Sequence, residues 1–274
     1  MVLFRLCSGD HLCPCCAKAH EAALSLPTEI GFYIVASVAV ILVGLAKGGF
    51  AGLGAAAMPL LALVMDPVAG AGMLLPILMV QDVVSVWAFR RSYDVETLLL
   101  TVPAAAVGIF LGWVLASAIN EDAVRGFVGI IALAFGVYRL LPVLNVQMKV
   151  RGPAPQWVGA VMGTVAGFTS QIAHAGGPPF QIWALSRNLP HLVFVGTSSI
   201  FFAIINWMKV PAYAALGQFN IQNMTLTVLF LPLAILSTVA GVKLVKRVSP
   251  ERFNIIIQLL MVIVGAELIR QSIW

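Results

Sequence analysis

Two glycine-rich stretches hold the residues best suited to chemistry. The first reads GLAKGGFAGLGAAAMP from Gly44 to Pro59, and the second GTVAGFTSQIAHAGGPP from Gly163 to Pro179. Each places glycines after one apolar run and before a shorter one. Glycine accepts positive φ and close backbone approach, so a chain can break and restart there inside protein. A restarting helix turns unpaired N–H groups and the positive end of its dipole into the gap, which suits an anion. The side chains agree with that chemistry. Lys47, Gly48, Gly49 and Phe50 stand at the first break, and Ser170, Gln171, His174, Gly176 and Gly177 at the second. These nine are the expected contacts of a small anionic substrate. Plainer readings exist for several. Lys47 at a helix end can snorkel toward the interface, Gly44 and Gly48 can serve close helix packing, and His174 can be an ordinary hydrogen-bonded residue.

A second polar group, Gln81, Asp82, Thr197, Ser198, Ser199 and Asn206, interrupts other apolar runs. Polar and ionisable groups inside a span usually mark a substrate or ion route, so these six are expected along a pathway or in proton coupling. Asp82 and Glu267 are the carboxylates of interest. The plainer reading pairs Asp82 with Lys47, Arg90 or Arg91 and leaves Glu267 facing water near a helix end.

The elements that carry these residues follow from composition. The 274-residue chain is 61% hydrophobic and only 10% charged, against about a quarter charged in soluble domains. That excludes a cytosolic enzyme, a disordered chain and a secreted disulfide scaffold. A spanning helix needs about 20 mostly apolar residues. Seven runs qualify, at about 29–47, 68–90, 95–118, 122–141, 189–212, 221–244 and 252–273. Three shorter ones, about 50–65, 156–169 and 175–186, are broken or flanked by Gly and Pro. A β-barrel would alternate polar and apolar residues, and these runs do not. The fold class expected is an all-α polytopic membrane protein.

The chain also resembles itself. Shifted by 119 residues, Gly44 falls on Gly163, Gly48 on Gly167, Pro59 on Pro178 and Arg90 on Lys209. Shifted by 129, Pro103 falls on Pro232, Gly112 on Gly241 and Gly136 on Gly265. An insertion near Pro211–Asn220 reconciles the two shifts. The expected organisation is a tail over 1–27, a first repeat over 28–141, a connecting loop over 142–155 and a second repeat over 156–274. Five segments per repeat is an odd number, so the repeats should be inverted in the membrane. The short first pair of each would be broken or re-entrant. Inverted repeats with broken helices characterise secondary transporters that bind substrate near the midplane.

The formal charge of +5 lies mainly in the gaps, the pattern of membrane topology rather than nucleic-acid binding. Arg90, Arg91, Arg139, Lys149, Arg151, Arg187, Lys243, Lys246, Arg247 and Arg252 flank one side, against Arg5, Lys18, Arg125, Lys209 and Arg270 on the other. The first group is expected in the cytoplasm, with both termini outside. The tail collects Cys7, Cys13, Cys15 and Cys16 with His11 and His20. Such a cluster can hold a soft metal or form disulfides, but the ligands crowd together without a second pair beyond a loop. A disordered extension, or a start placed too far upstream, is the expectation, with no metal site. It lacks the apolar stretch of a signal peptide.

On GLAKGGFAGLGAAAMPLLAL and GTVAGFTSQIAHAGGPPFQIWAL, within similar halves over about 29–273, the chain resembles the TauE/SafE family of sulfite and organosulfonate exporters, in the 4-toluene sulfonate uptake permease superfamily. The resemblance implies export of a small sulfur-containing anion across the bacterial inner membrane. Alternating access at a midplane site is the expected mechanism, with an anion channel or an uptake permease as alternatives. No cofactor and no nucleic-acid partner is expected. The bilayer surrounds the chain, and a homo-oligomer is compatible with the sequence. An intramembrane enzyme using Ser170 or His174 is disfavoured, because neither a G-x-S-x-G elbow nor an H-E-x-x-H pair occurs. A metal-handling protein loaded through the tail is a further, weaker reading.

Overall fold

A computed structural model describes residues 27–50, 52–116, 120–141, 154–245 and 251–273. Within them the chain forms ten α-helices. The first five are α1 (Ile30–Lys47), α2 (Ala57–Ala62), α3 (Pro67–Phe89), α4 (Val95–Ala116) and α5 (Glu121–Leu140), with a 3-10 turn, Leu53–Ala56, leading into α2. The second five are α6 (Gln156–Ala173), α7 (Gly177–Ser186), α8 (His191–Ala215), α9 (Ile221–Leu244) and α10 (Glu251–Ile273). Seven of them are long and apolar enough to cross a membrane: α1, α3, α4, α5, α8, α9 and α10. These are the seven runs expected from sequence. The cysteine-rich tail, most of the 142–155 connection, and Arg5, Lys18, Lys149, Arg151, Lys246 and Arg247 lie outside the described residues.

Helix starts are fixed by local chemistry. Asp66, Asn120 and Asn220 each accept a bond from the backbone N–H three residues on, satisfying one of the bare donors of α3, α5 and α9. Asp94 does the same for α4 through the Thr97 N–H. Prolines inside α3, α4, α8 and α9 do not end those helices. Near Pro76 of α3, Thr227 of α9 donates its hydroxyl to the Met73 carbonyl at 2.9 Å, so a neighbouring helix supplies a bond where proline weakens the ladder. Large apolar residues such as Trp87, Leu99, Phe110, Ile130 and Val228 stand on the outside of the bundle. In lipid that surface is solvated rather than exposed.

The packing of one half mirrors that of the other. α1 packs on α9 as α6 packs on α4, and α3 packs on α9 as α8 packs on α4. The pairs α3/α8 and α5/α10 join counterparts directly. Asp82 meets Asn206 while Ser85 meets Ser199, so α3 and α8 run antiparallel. Gly126 faces Ser272 while Gly136 faces Gln258, so α5 and α10 are antiparallel too. The starts of α3, α5 and α9 gather at one end of the bundle around a hollow lined by Asp66, Asn120, Glu121, Asp122, Gln218 and Asn220. At the opposite end, Arg187 after α7 pairs with Glu96 of α4, and Thr197 of α8 accepts the Asp94 N–H.

Small residues let the two halves touch backbone to backbone. A Cβ at Gly108 would stand 1.9 Å from the Thr164 carbonyl oxygen of α6, and one at Gly48 would stand 2.4 Å from the Gly241 Cα of α9. The packing role of Gly48 is therefore real whatever else it does. Gly108→Ala must push α4 off α6, at a cost of about 1–3 kcal/mol. A lower melting temperature in detergent, with no change in secondary structure at low temperature, is the expected result.

Several boundaries differ from expectation. The segment expected at 50–65 divides into a 3-10 turn and a six-residue helix. α6 continues to Ala173 rather than ending near 169, and α8 runs through Pro211 to Ala215 rather than ending near 212. The last difference moves Lys209 from a flank into the interior.

Candidate functional site

Both helix breaks are built by backbone that few residues adopt. α1 ends at Gly48, Gly49 takes φ 122°, and Gly52 takes φ 101° before the 3-10 turn. A side chain would be strained at either glycine. α6 ends at His174, itself left-handed at φ 50°, and α7 restarts from Gly176. The Thr169 hydroxyl donates to the Ala175 carbonyl at 3.1 Å, within that turn.

Between the breaks lies a cavity of about 110 Å³, large enough for a few water molecules or one small anion. α1 and its break contribute Lys47 and Gly49 among others, and the restart contributes Gly52, Gly54, Ala55 and Met58. α6 and α7 contribute Ser170, His174, Gly177 and Gln181. α8 adds Ser198, Ser199, Phe202 and Asn206, and Leu74 and Leu78 of α3 complete an apolar wall.

The charges around it form two connected groups. Lys47 is ion-paired with Asp82 of α3, and its Nζ stands 5.1 Å from the centroid of the Phe202 ring. Asn206 donates its side-chain amide to the other Asp82 oxygen at 2.6 Å. Ser85 donates to the Lys47 carbonyl at 2.7 Å, tying the end of α1 to α3. In the second group Lys209, 0% exposed, reaches the end of α6. Its Nζ lies 3.2 Å from the Ser170 carbonyl oxygen, 3.1 Å from Ser170 Oγ and 2.8 Å from His174 Nδ1. His174 Nε2 lies 2.9 Å from the Ala71 carbonyl oxygen of α3. A carbonyl only accepts, so Nε2 carries the ring proton and Nδ1 accepts from Lys209. Tyr213 donates to the Gln171 carbonyl at 2.9 Å, a second tie between α8 and α6.

The charge sum follows. Asp82 cancels Lys47, while Lys209 has three neutral acceptors matching the three N–H bonds of an ammonium. Among the described residues no carboxylate pairs with Lys209. With both lysines as ammonium groups and Asp82 as carboxylate, the cluster sums formally to one positive charge beside a cavity of anion size. An isolated buried charge is costly in lipid or protein interior, and an anion in the cavity would offset it.

Several expected site residues stand elsewhere. Gly48 packs on Gly241, and Phe50 is buried in the core. Gly176 packs against α6, where a Cβ would meet the Ala166 carbonyl at 2.6 Å. Gln171 is buried against Gly112 of α4, and its amide finds no hydrogen-bond partner among the described residues. Gln81 reaches the Val40 and Ala234 carbonyls, bridging α1 and α9. Thr197 bonds the Asp94 N–H at the bundle end. Glu267 is bridged by Arg270 near the end of α10. α7 offers an anion fewer bare donors than the sequence implied, because Pro178 and Pro179 remove two of the four.

Lys209 corrects the topology count. It was assigned to a flank, but it is fully buried among Ser170, His174 and α8. The signal was present in the apolar stretch Val210–Leu216 that continues past it. Pro211 obscured it by looking like a helix end. Gln181, Ser85 and Tyr213 also escaped the sequence reading, each being an ordinary polar residue with no motif to mark it.

The family model described as sulfite exporter TauE/SafE matches residues 36–268. The chain belongs to the TauE/SafE family. It is thus a multi-pass helical membrane protein of a sulfur-anion transporter family, as the resemblance implied. The TauE/SafE match spans both breaks and every residue of the charged cluster. No curated protein and no solved structure matches the chain. Nor do the described residues contain a group of three His, Cys, Asp or Glu able to hold a metal ion.

Proposed function

We propose that the chain is a secondary transporter that exports a small sulfur-containing anion, such as sulfite or an organosulfonate, across the cell membrane. The observation that carries this reading is the cavity between two helix breaks, lined by Lys47 and Ser170, with Lys209 buried behind Ser170 and His174. The anion sits in that cavity, where Lys47, Ser170 and Asn206 present donors, the Ser198 hydroxyl being given to the Phe194 carbonyl. Lys209 adds charge from behind Ser170 and His174. The oxygens of a sulfonate or sulfite match such a ring of donors.

The antiparallel packing of α3 on α8 and of α5 on α10 supports two inverted repeats, rocking against each other around the cavity. The end of the bundle bearing Arg90, Arg91 and Arg187 faces the cytoplasm under the positive-inside rule. With Lys209 set aside as buried, ten basic residues count against four, which supports that orientation, with both termini outside. An enzymatic role for Ser170 has less support, since Ser170 and His174 both turn to Lys209 and not to each other.

Purified protein in liposomes is expected to carry sulfite, with thiosulfate, sulfoacetate and taurine ranking its tolerance, and flux should saturate. A rate that rises linearly with concentration would indicate a channel. No flux of any sulfur anion, with or without a pH gradient, would overturn the reading.

A further inference from the structure

Asp82 is the acidic member of the buried cluster, 2% exposed, with both carboxylate oxygens occupied by donors. Lys47 donates to one and the Asn206 amide to the other. Lys47 from α1 and Asn206 from α8 bond it directly, and farther along α8 Lys209 and Tyr213 bond the end of α6 at His174 and Gln171. From α9, the Ala234 carbonyl meets the neighbouring Gln81. Arg139 of α5 lies farther out, near Gly52 at the cavity wall, and is only partly buried.

We infer that Asp82 takes up one proton when a dianion binds, so the site carries a dianion together with one proton and a monoanion with none. This rests on the anion-transport reading of the same cavity. Charge must balance in so low-dielectric a space. With Asp82 ionised and both lysines protonated, Lys47, Asp82 and Lys209 sum to one positive charge, which a monoanion neutralises. A dianion leaves one negative charge in excess, beside a carboxylate that it repels. A proton on Asp82 restores neutrality, since two ammonium groups then face two negative charges. The geometry provides for the exchange. The proton bonds to the Asp82 oxygen that Lys47 occupies, and the Lys47 ammonium swings free to an anion oxygen in the cavity that it already lines. Asn206 keeps its bond to the other oxygen throughout. No electrons move, and the proton comes from water on the side to which the cavity opens.

The structural counterpart of Asp82 strengthens the assignment. Asn206 occupies on α8 the same register position, counted from the helix start, that Asp82 occupies on α3. The two meet where the halves face each other, yet only one of the pair can titrate. Both halves thus share one proton site.

The test is the number of protons taken up on binding, from calorimetry of the full-length protein in buffers of different ionisation heat. Thiosulfate and sulfoacetate serve as dianions and methanesulfonate as the monoanion, all fully ionised near neutral pH. Wild type should take up about one proton per dianion and none per methanesulfonate. Dianion affinity should fall about tenfold per pH unit on the alkaline side. Asp82→Asn should bind a dianion with no proton taken up and no such slope. If that variant fails to fold, Asp82→Glu should still take up the proton. Dianion binding to wild type without proton uptake overturns the inference and leaves the anion reading intact. So does proton uptake that persists in Asp82→Asn. Failure of all three anions to bind overturns the anion reading, and this inference with it.

Discussion

Lys209→Met is expected to abolish anion binding and transport while the protein stays folded. Methionine matches the length of the aliphatic stem and fills most of the same buried space, so the packing of α8 against α6 survives. What disappears is the uncompensated positive charge. Truncating a buried charge that pairs with a ligand typically costs about 2–5 kcal/mol of binding, so affinity should fall roughly 30-fold or more. Folding stability has opposing contributions. His174 Nδ1 loses its donor, which costs about 1–3 kcal/mol, while the Ser170 carbonyl keeps the His174 N–H. Removing a buried charge gives back its desolvation cost, which is of similar size or larger. The melting temperature without anion should therefore change little, while the rise on adding sulfite should vanish. A Lys209→Met protein that binds and transports as wild type would show that the net charge of the cluster has no part in function.

Asp82→Leu should produce the largest loss of stability, and an anion should reverse part of it. The variant leaves Lys47 charged, largely buried and without its carboxylate. Breaking one partner of a buried pair costs about 3–5 kcal/mol. An anion at 100 times its dissociation constant returns about 2.7 kcal/mol by mass action. Thermal unfolding should then show a variant much less stable than wild type in anion-free buffer, and nearer to it with sulfite present. Lys47→Met combined with Asp82→Leu replaces the whole pair by apolar groups. It should recover most of the stability and respond to anion less than Asp82→Leu does, since only Lys209 still carries a positive charge. If the double variant responds to sulfite as Asp82→Leu does, the anion is not binding at Lys47.

The fold was legible in the sequence because lipid imposes a simple rule. Each of the seven long apolar runs became a helix, since a backbone in lipid must satisfy its own hydrogen bonds. The two breaks were legible because glycine permits backbone that other residues avoid, as Gly49 and Gly52 show. The pairing of Lys47 with Asp82 was foreseen as the plainer reading of Asp82. It turns out compatible with a binding role, because Lys47 lines the cavity while paired.

Lys209 was not legible, and the reason is physical. A lysine two residues before a proline resembles a helix end at the interface. Here α8 continues past Pro211, and Val210–Ala215 carries the lysine inward. The expected repeat rests on glycines and prolines, and the helix starts offer a different register for it. Counted from the starts of α3 and α8, Lys209 corresponds to Ser85, and not to Arg90. Both residues bind a carbonyl at the end of their own half's broken helix, Lys47 for Ser85 and Ser170 for Lys209. That equivalence exists in the packing and leaves no trace in residue type. Gln171 shows the opposite failure, a polar residue beside the break that turns away from it.

The most direct measurement is a structure of the protein with selenite, the heavier congener of sulfite, located by the anomalous scattering of selenium. The account predicts one selenium peak inside the cavity, with anion oxygens within hydrogen-bond distance of Lys47 Nζ and the Ser170 hydroxyl, and no such peak in Lys209→Met. A selenium peak elsewhere on the protein and none in the cavity, under conditions where selenite is transported, would contradict it.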